Sequence, residues 1–236
     1  MELSYGADPE VFLSIGEKYI SAHGILPGTK AEPFKVEKGA VQVDGLAFEF
    51  NIDPAKTADE FDKNITVVLA QMDEMVKKID KDIKINFIPL AKFEKKYFDH
   101  LPQECKLLGC DPDFSSVDGS VNIPSKDLSN IPIRTAAGHV HIGWTKDQDP
   151  MDPVHFEDAR FIAHKFYTSG WGYGNPFRAK TVDEAERLKY YGANGSFRPK
   201  SYGVELRQFS NLWVKRSDTR KQMFNYIDSD IKKMAK

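Results

Sequence analysis

Residues 191–209 read Tyr191-Gly-Ala-Asn-Gly-Ser-Phe-Arg198-Pro-Lys-Ser-Tyr-Gly-Val204-Glu-Leu-Arg207-Gln-Phe209. The stretch opens with glycines and a polar turn, then runs through Arg198 and Pro199 into the alternating segment Val204-Glu205-Leu206-Arg207. In an extended strand alternate side chains share a face, so Glu205 and Arg207 point one way and Val204 and Leu206 the other. A carboxylate beside a guanidinium, with Arg198 upstream, suits a polyanion: the carboxylate holds a divalent cation and the arginines clamp phosphate or carboxylate oxygens. Taken alone, the same pattern also describes a salt-bridged surface strand. The rest of the chain bears on which applies.

Downstream, Asn211-Leu-Trp213 closes the strand region, and Ser217 or Asp218 caps a last helix with Met223, Tyr226, Ile227, Ile231 and Met234 as its apolar stripe. Upstream, Thr181 or Asp183 caps a short helix ending near Tyr190. Gly170-Trp-Gly-Tyr-Gly174 neither follows a strand nor opens a helix, which speaks against a dinucleotide fold. A helix is predicted from Asp152 or Pro153 to Tyr167, burying Phe156, Ala159, Ile162, Ala163 and Phe166, with His155 and His164 read as structural or surface residues. Before it, Gly138-His-Val-His-Ile-Gly143 places His139 and His141 on one strand face and Val140 and Ile142 on the reverse. Single strand histidines are usually structural; two at this spacing, between glycines that let a ligand approach the backbone, favour a site.

Residues 105–132 are rich in Asp, Ser, Asn and Pro and read as a long ordered loop, anchored by Phe114. Thr57 to Lys81 is a helix, opened by Thr57 and Glu60 as a capping box and striped by Phe61, Ile65, Val68, Leu69, Met72, Met75, Val76 and Ile79. A strand over 83–90 and a short helix over 92–99 follow it, and residues 16–40 read as loop and short strands. Residues 40–52 form a hairpin: Val41 and Val43 alternate, Asp44-Gly45 supplies the turn, and Leu46, Phe48, Phe50 and Ile52 face opposite to Ala47, Glu49 and Asn51. Asp44, explained as a turn residue, is set aside as a ligand. Residues 5–13 form a first strand with Asp8 and Glu10 on one face, fitting a metal site or a turn equally. Pro9, lacking an N–H, predicts an edge, a strand start or a bulge.

The 236 residues suffice for one large domain, 1–236, and 41% hydrophobic, 12% aromatic and 29% charged residues are ordinary for a globular protein. A net charge of -2 argues against nonspecific nucleic-acid binding and against a polybasic membrane patch. No apolar run reaches the roughly 20 residues of a membrane span. The first residues lack the features of a signal peptide, and the two cysteines, Cys105 and Cys110, match no zinc motif and are expected as free thiols in a reducing compartment. A cytoplasmic protein is the expectation.

Four strand-like segments thus offer Asp8 and Glu10, Glu49, His139 and His141, and Glu205 and Arg207, each on one face. The dominance of carboxylates suits magnesium or manganese better than zinc. The arginines point to an anionic substrate, most simply a nucleotide phosphate plus a carboxylate. The chain contains no G-x-x-x-x-G-K-[ST] and no G-x-S-x-G.

Gly6-Ala-Asp-Pro-Glu10, Phe48-Glu-Phe-Asn51, Gly138-His-Val-His-Ile-Gly143 and the 191–213 motif occur in this order. Together, from residue 5 to about 215, the chain resembles the phage-encoded carboxylate–amine ligases (amidoligases) of type 2, in the glutamine synthetase and glutamate–cysteine ligase superfamily. The resemblance implies an α+β fold like the glutamine synthetase catalytic domain: a curved, mostly antiparallel sheet with helices on its outer face and the site on the concave side. It implies that ATP phosphorylates a carboxylate to an acyl phosphate, which an amine attacks to form an amide or peptide bond. Glu10, Glu49, Glu205 and His139 are implied as metal ligands, with Asp8 where many relatives carry the first glutamate of an E-x-E pair. His141, Arg198 and Arg134 are implied at the nucleotide, Arg198 on phosphate, and Arg207 at the substrate carboxylate or the transferring phosphoryl group. The place of action is then the host cytoplasm.

Set against that resemblance, the chain is expected to lack the separate N-terminal domain that completes the site between subunits in glutamine synthetase. Its oligomeric state and amine site are therefore open, and a peptide or protein end becomes an alternative to a small-molecule carboxylate or amine. Two other readings stand beside the ligase: a metal-dependent hydrolase, and a virion or host-interaction protein that keeps the fold without catalysis.

Overall fold

The computed structural model describes residues 2–106, 113–122, 129–168, 181–193 and 195–234. Cys110, the Gly170–Gly174 segment and Asn194 of the 191–209 motif lie outside these. The axis of the molecule is β1 (Ser4–Ile15). On one side β1 runs antiparallel to β9 (Gly138–Gly143), with Asp8 opposite His139 and Gly6 opposite His141. On its other side β1 meets β5 (Ala47–Ile52), with Glu10 opposite Glu49. Beyond β9 lie β11 (Gly203–Leu206) and β10 (Phe197–Lys200); beyond β5 lie β4 (Gly39–Asp44) and β3 (Phe34–Val36). The order is β10-β11-β9-β1-β5-β4-β3, and each pairing is antiparallel. The far end of β1 pairs with β2 (Lys18–Ile20) and β6 (Ile83–Asn86).

Period-two alternation decides the layers. Ala7, Val11, Phe48, Phe50, Val140, Ile142, Val204 and Leu206 are buried on one sheet face under α1 (Ala58–Ile79), α4 (Pro153–Thr168) and α6 (Ser217–Met234). In α1 the Thr57 hydroxyl accepts the Glu60 N–H at 3.2 Å, and Asp59 and Glu60 in the first turn and Lys77 and Lys78 in the last oppose the helix dipole. The carboxylate of Glu60 reaches back to the Lys56 N–H at 2.9 Å, one residue before the usual partner in a capping box. Phe61, Ile65, Val68, Met72 and Val76 are buried at helical spacing, each contributing about 1.5–3 kcal/mol of transfer free energy. Phe61 packs between Trp213 and Phe224, at centroid distances of 5.8 and 5.7 Å, which ties α1 to α6. Asp152 caps α4 by accepting the N–H groups of Val154 and His155.

On the opposite face the far end of β1 is covered. Phe12, two positions beyond Glu10, joins Leu46, Ala47, Ala91, Phe93, Phe98, Cys105 and Ala136 in a second apolar cluster. Its cover is the small sheet of β7 (Leu90–Lys92) and β8 (Ile133–Thr135) with α2 (Lys95–His100) and α3 (Gln103–Lys106). A further short helix, α5 (Val182–Arg187), is capped by Thr181 and packs near β7. Among the described residues no helix is long and apolar enough to cross a membrane.

Four local expectations are revised. Pro9 lies inside a central strand, not at an edge, start or bulge. The Glu10 N–H donates to Ala137 on the β9 side, so the missing N–H of Pro9 faces β5. There the ladder is interrupted between the Tyr5–Ala55 bridge and the Glu10–Glu49 pair. The expected 83–90 strand is two, β6 and β7, which join different sheets. The hairpin turn is Gly45-Leu46, one residue later than predicted, with Asp44 paired to Ala47 as the last residue of β4. Gly45 has φ 58 at the first central position, where a II′ turn takes glycine. Finally, the glycines around the histidines accommodate the chain itself. A Cβ on Gly138 would come within 2.4 Å of the Trp213 ring nitrogen, and one on Gly143 within 2.5 Å of the Ser4 hydroxyl.

Candidate active site

Paired residues in an antiparallel sheet share a face. The face opposite the helices therefore collects Asp8 and Glu10 from β1, Glu49 from β5, Gln42 and Asp44 from β4, and His139 and His141 from β9. It also carries Glu205 from β11 and Arg198 and Lys200 from β10. Glu10–Glu49–Gln42 form one cross-strand row and Arg198–Glu205–His141 another. Arg207, just past β11, turns its side chain to the same face and contacts Glu205. Each of these strands could place polar groups here because its alternate residues are apolar and bind the helical layer.

At one end of the face Glu10, Asp44 and Glu49 each bring a carboxylate oxygen within 4.8 Å of the others. Burial raises the Glu49 carboxyl well above the usual carboxylate range, and the charges of Asp8, Glu10 and Asp44 add to the shift. Burial also pushes Glu10 up, although the Ala137 N–H donates to its carboxylate at 2.8 Å. Lys30 meets Asp44 at 3.0 Å at the rim. Asp44, set aside in the sequence as a turn residue, is thus part of the cluster, because the turn begins one residue later and leaves its side chain on the strand face.

At the other end Glu205 is fully buried, and Arg207, Arg198 and Lys200 surround it, the latter two at 3.2 and 3.1 Å. Asp113 accepts the Arg207 Nε–H at 3.1 Å, and the guanidinium lies 5.1 Å from the centre of the Tyr191 ring, whose hydroxyl it also contacts. Arg187 of α5, completely buried and paired with Glu184 at 2.7 Å, donates to the Tyr191 carbonyl at 3.4 Å and the Gln208 carbonyl at 2.9 Å. It joins the segment carrying Tyr191 to the end of β11.

Between the two ends stands Asp8. His141 Nε2 approaches Asp8 Oδ1 to 2.7 Å, and His139 Nδ1 lies 3.4 Å from Asp8 Oδ1 and 3.5 Å from Glu205 Oε1. None of these contacts completes a hydrogen bond, and Asp8 Oδ1, His139 Nδ1 and His141 Nε2 remain unsatisfied. Burial alone would raise the Asp8 carboxyl; His141 and His139 overcome it and hold the group well below the usual range. Asp8, His141 and Glu205 form a second trio whose ligand atoms lie within 4.8 Å of one another. The imidazole in that trio is His141, with His139 immediately beside it. Orphaned buried donors of this kind, with carboxylates and imidazoles converging, are what a divalent cation satisfies.

Among the sequence-predicted site residues, Arg134 is the one not brought to this face. On β8 its guanidinium donates to the carbonyls of Ile131, Ile133 and Lys106, at 3.0, 2.6 and 2.6 Å, and stacks 4.8 Å from the Phe98 ring centre. His155 Nε2–H donates to the Lys200 carbonyl, 2.8 Å away, supporting β10 from behind. Asn211 donates to the Glu10 and Ile88 carbonyls at 2.8 and 2.9 Å, and Trp213 to the Gly138 carbonyl at 3.0 Å, so the end of the 191–213 motif fixes the strands that carry Glu10 and His139.

Sequence reading missed Asp113, which lies in a stretch without periodicity. It also passed over Lys200 and Tyr191, whose places in the motif carried the signal: Lys200 shares the parity of Arg198. The arrangement can hold divalent cation at its acidic end and bind anionic oxygens at its cationic end, where Arg198 and Lys200 are 16% and 30% exposed and Arg207 only 4%. No protein-family model matches the chain and no curated protein matches its sequence.

Proposed function

We propose that the protein is an ATP-dependent carboxylate–amine ligase of the glutamine synthetase and glutamate–cysteine ligase type, acting with magnesium or manganese. The observation that carries this reading is the juxtaposition, on one sheet face, of three crowded carboxylates with three cations gathered around Glu205. A cation site next to an anion site is what a metal–nucleotide complex requires, and phosphoryl transfer asks little of a protein beyond positioning and charge neutralisation.

Under this reading Glu10, Asp44 and Glu49 hold metal at one end, and Asp8, His141 and Glu205 at the other. The metal, when bound, neutralises phosphate oxygens. Arg198 and Lys200, the accessible cations, bind phosphoryl oxygens, and Arg207 is oriented toward the transferring group by Glu205, Asp113 and Tyr191. The γ-phosphoryl of ATP passes to a substrate carboxylate, ADP leaves, and the acyl phosphate is attacked by an amine, which releases inorganic phosphate and forms the amide. No protein nucleophile is needed. Arg134 is outside the proposed nucleotide site. The same reading takes the sheet as the curved sheet of a glutamine synthetase-like domain spanning 1–236, with small-molecule, peptide or protein carboxylates and amines as substrates in a phage-infected host cytoplasm.

Calorimetric titration of ATP, with magnesium and then with EDTA, tests it. Metal-dependent binding is expected, followed by ADP release with the right carboxylate–amine pair; folded protein that binds no ATP in either condition overturns the ligase. The Asp8, His141 and Glu205 trio favours one rival, a metal-dependent hydrolase, which would turn over without ATP. Nucleotide binding without turnover across such pairs would favour the non-catalytic reading.

A further inference from the structure

Arg207 is the most enclosed of the three cations at the basic end, and its guanidinium is already engaged. Nε–H donates to Asp113 at 3.1 Å, Nη1 contacts Glu205, and Nη2 contacts the Tyr191 hydroxyl. The two carboxylates are not equivalent. Glu205 is also bound by Arg198 and Lys200, whereas among the described residues Arg207 is the one cation paired with Asp113. Asp113 keeps 11% of its side chain exposed and Glu205 none, so an arriving anion meets Asp113 first.

The main chain at Asp113 is fixed without that side chain. Phe114 and Phe197 exchange both backbone hydrogen bonds, at 2.8 and 3.0 Å, and the Asn122 N–H donates to the Asp113 carbonyl at 2.9 Å. The Phe114 ring also packs edge-on against Phe156, 5.0 Å between centroids. The Asp113 carboxylate can therefore change rotamer and leave Arg207 while the segment that carries it stays on the edge of β10.

We infer that Asp113 is a tethered carboxylate that holds the anion position of Arg207 and decides which anions reach it. Arg198, Lys200 and Arg207 set three positive charges against the one negative charge of Glu205. The two left over match a phosphoryl dianion; with Asp113 in place one is left. A free monocarboxylate offers Arg207 only what Asp113 already gives, and Asp113 has the advantage of a tethered group, an effective concentration on the order of millimolar. A phosphoryl group brings a second charge and a third oxygen, so it displaces Asp113 where a carboxylate does not. This role rests on the proposed reading, in which Arg207 meets the transferring phosphoryl group. It adds the residue that keeps an unphosphorylated carboxylate from taking that place.

The test is NMR on the full-length protein in EDTA, above the second pKa of phosphate, following the Arg207 Nε–H resonance during titration with inorganic phosphate or acetate. In the wild type, phosphate is expected to move the resonance and acetate at equal concentration to leave it in place. Asp113→Asn keeps the shape of the side chain and removes its charge. It should bind phosphate about tenfold tighter, and acetate should now move the resonance. Phosphate affinity that is equal or weaker in the folded variant overturns the inference. So does a wild-type Arg207 signal that phosphate leaves unmoved or that acetate moves as readily, and neither of these depends on how the variant folds. No arm contains nucleotide: protein that binds no ATP but discriminates phosphate from acetate sinks the ligase alone, and metal-dependent ATP binding without that discrimination sinks the role of Asp113 alone.

Discussion

At the β1–β5–β4 end of the polar face, Glu10, Asp44 and Glu49 repel one another with Lys30 as a rim partner, and the carboxyls of Glu10 and Glu49 are pushed up by burial and by their neighbours. At the β9–β11–β10 end, Glu205 is buried more deeply still, yet three cations surround it. Both ends bury carboxylates on the same sheet, and the register of one central strand separates them. The difference is where the compensating charge comes from. The basic end carries its own, so it is part of the fold's stability. The acidic end has only Lys30 at its rim among the described residues, so it stores unfavourable energy that a bound cation would release.

Substitution of one carboxylate at each end should therefore change stability in opposite directions. Glu205→Gln leaves Arg198, Lys200 and Arg207 facing one another around a neutral group, and should cost about 3–5 kcal/mol in urea denaturation. Glu49→Gln removes one of three crowded charges and should stabilise the metal-free protein by about 0.5–2 kcal/mol, while abolishing the extra stability that magnesium confers. If both variants lose stability in EDTA, the contrast between the ends is broken.

Proton linkage sharpens the same contrast. A carboxyl whose folded-state pKa is raised binds its proton more tightly in the native protein. Its contribution is complete below the ordinary glutamate value of 4.5 and disappears as pH rises through the raised values of Glu10 and Glu49. Asp8 behaves the other way: its contribution is complete above 3.8 and is lost only as pH falls through its depressed value. In EDTA, stability should fall as pH rises above 4.5 toward neutrality. Magnesium should remove that fall, because it replaces the proton as the partner of the acidic end. Urea melts at a series of pH values, with and without the metal, read this directly; an unchanged slope would mean that the ion binds elsewhere.

How much of this was legible in the chain depended on the distance over which each signal acts. Alternation placed Glu49, His139, His141 and Glu205 on polar strand faces correctly because it is local, and the Thr57 cap and the stripe from Phe61 to Val76 fixed α1 for the same reason. Asp44 was misjudged because Asp-Gly serves two turn registers, and only pairing with Ala47 decides between them. Pro9 in a central strand could not be foreseen, since the gap in the β5 ladder that tolerates it belongs to another element. Arg134 shows the converse: the resemblance implied a place at the nucleotide, whereas Ala136 and Ala137 carry the chain from one sheet to another and leave Arg134 on the other one. Asp113 pairs with Arg207 across 94 positions of sequence, beyond the reach of any pattern.

The smallest expected effect separates the two ways in which the basic end holds Arg207. Tyr191 offers it both a hydroxyl and a ring face. Tyr191→Phe keeps the ring and deletes the hydroxyl shared with His139, at a cost of about 1 kcal/mol. Tyr191→Leu deletes both, and should cost a further 0.5–1 kcal/mol or so if the guanidinium is held partly by the ring. Equal losses in the two variants would mean that the hydroxyl does the holding. Arg207 would then be positioned by polar contacts alone, from Glu205, Asp113 and Tyr191, and each of these is a group that an arriving anion or cation could displace. A loss confined to the leucine variant would mean instead that the guanidinium is held by a surface no ligand competes for. In that case the basic end stays assembled whether or not the acidic end is filled, and the two ends would act as independent sites sharing one sheet.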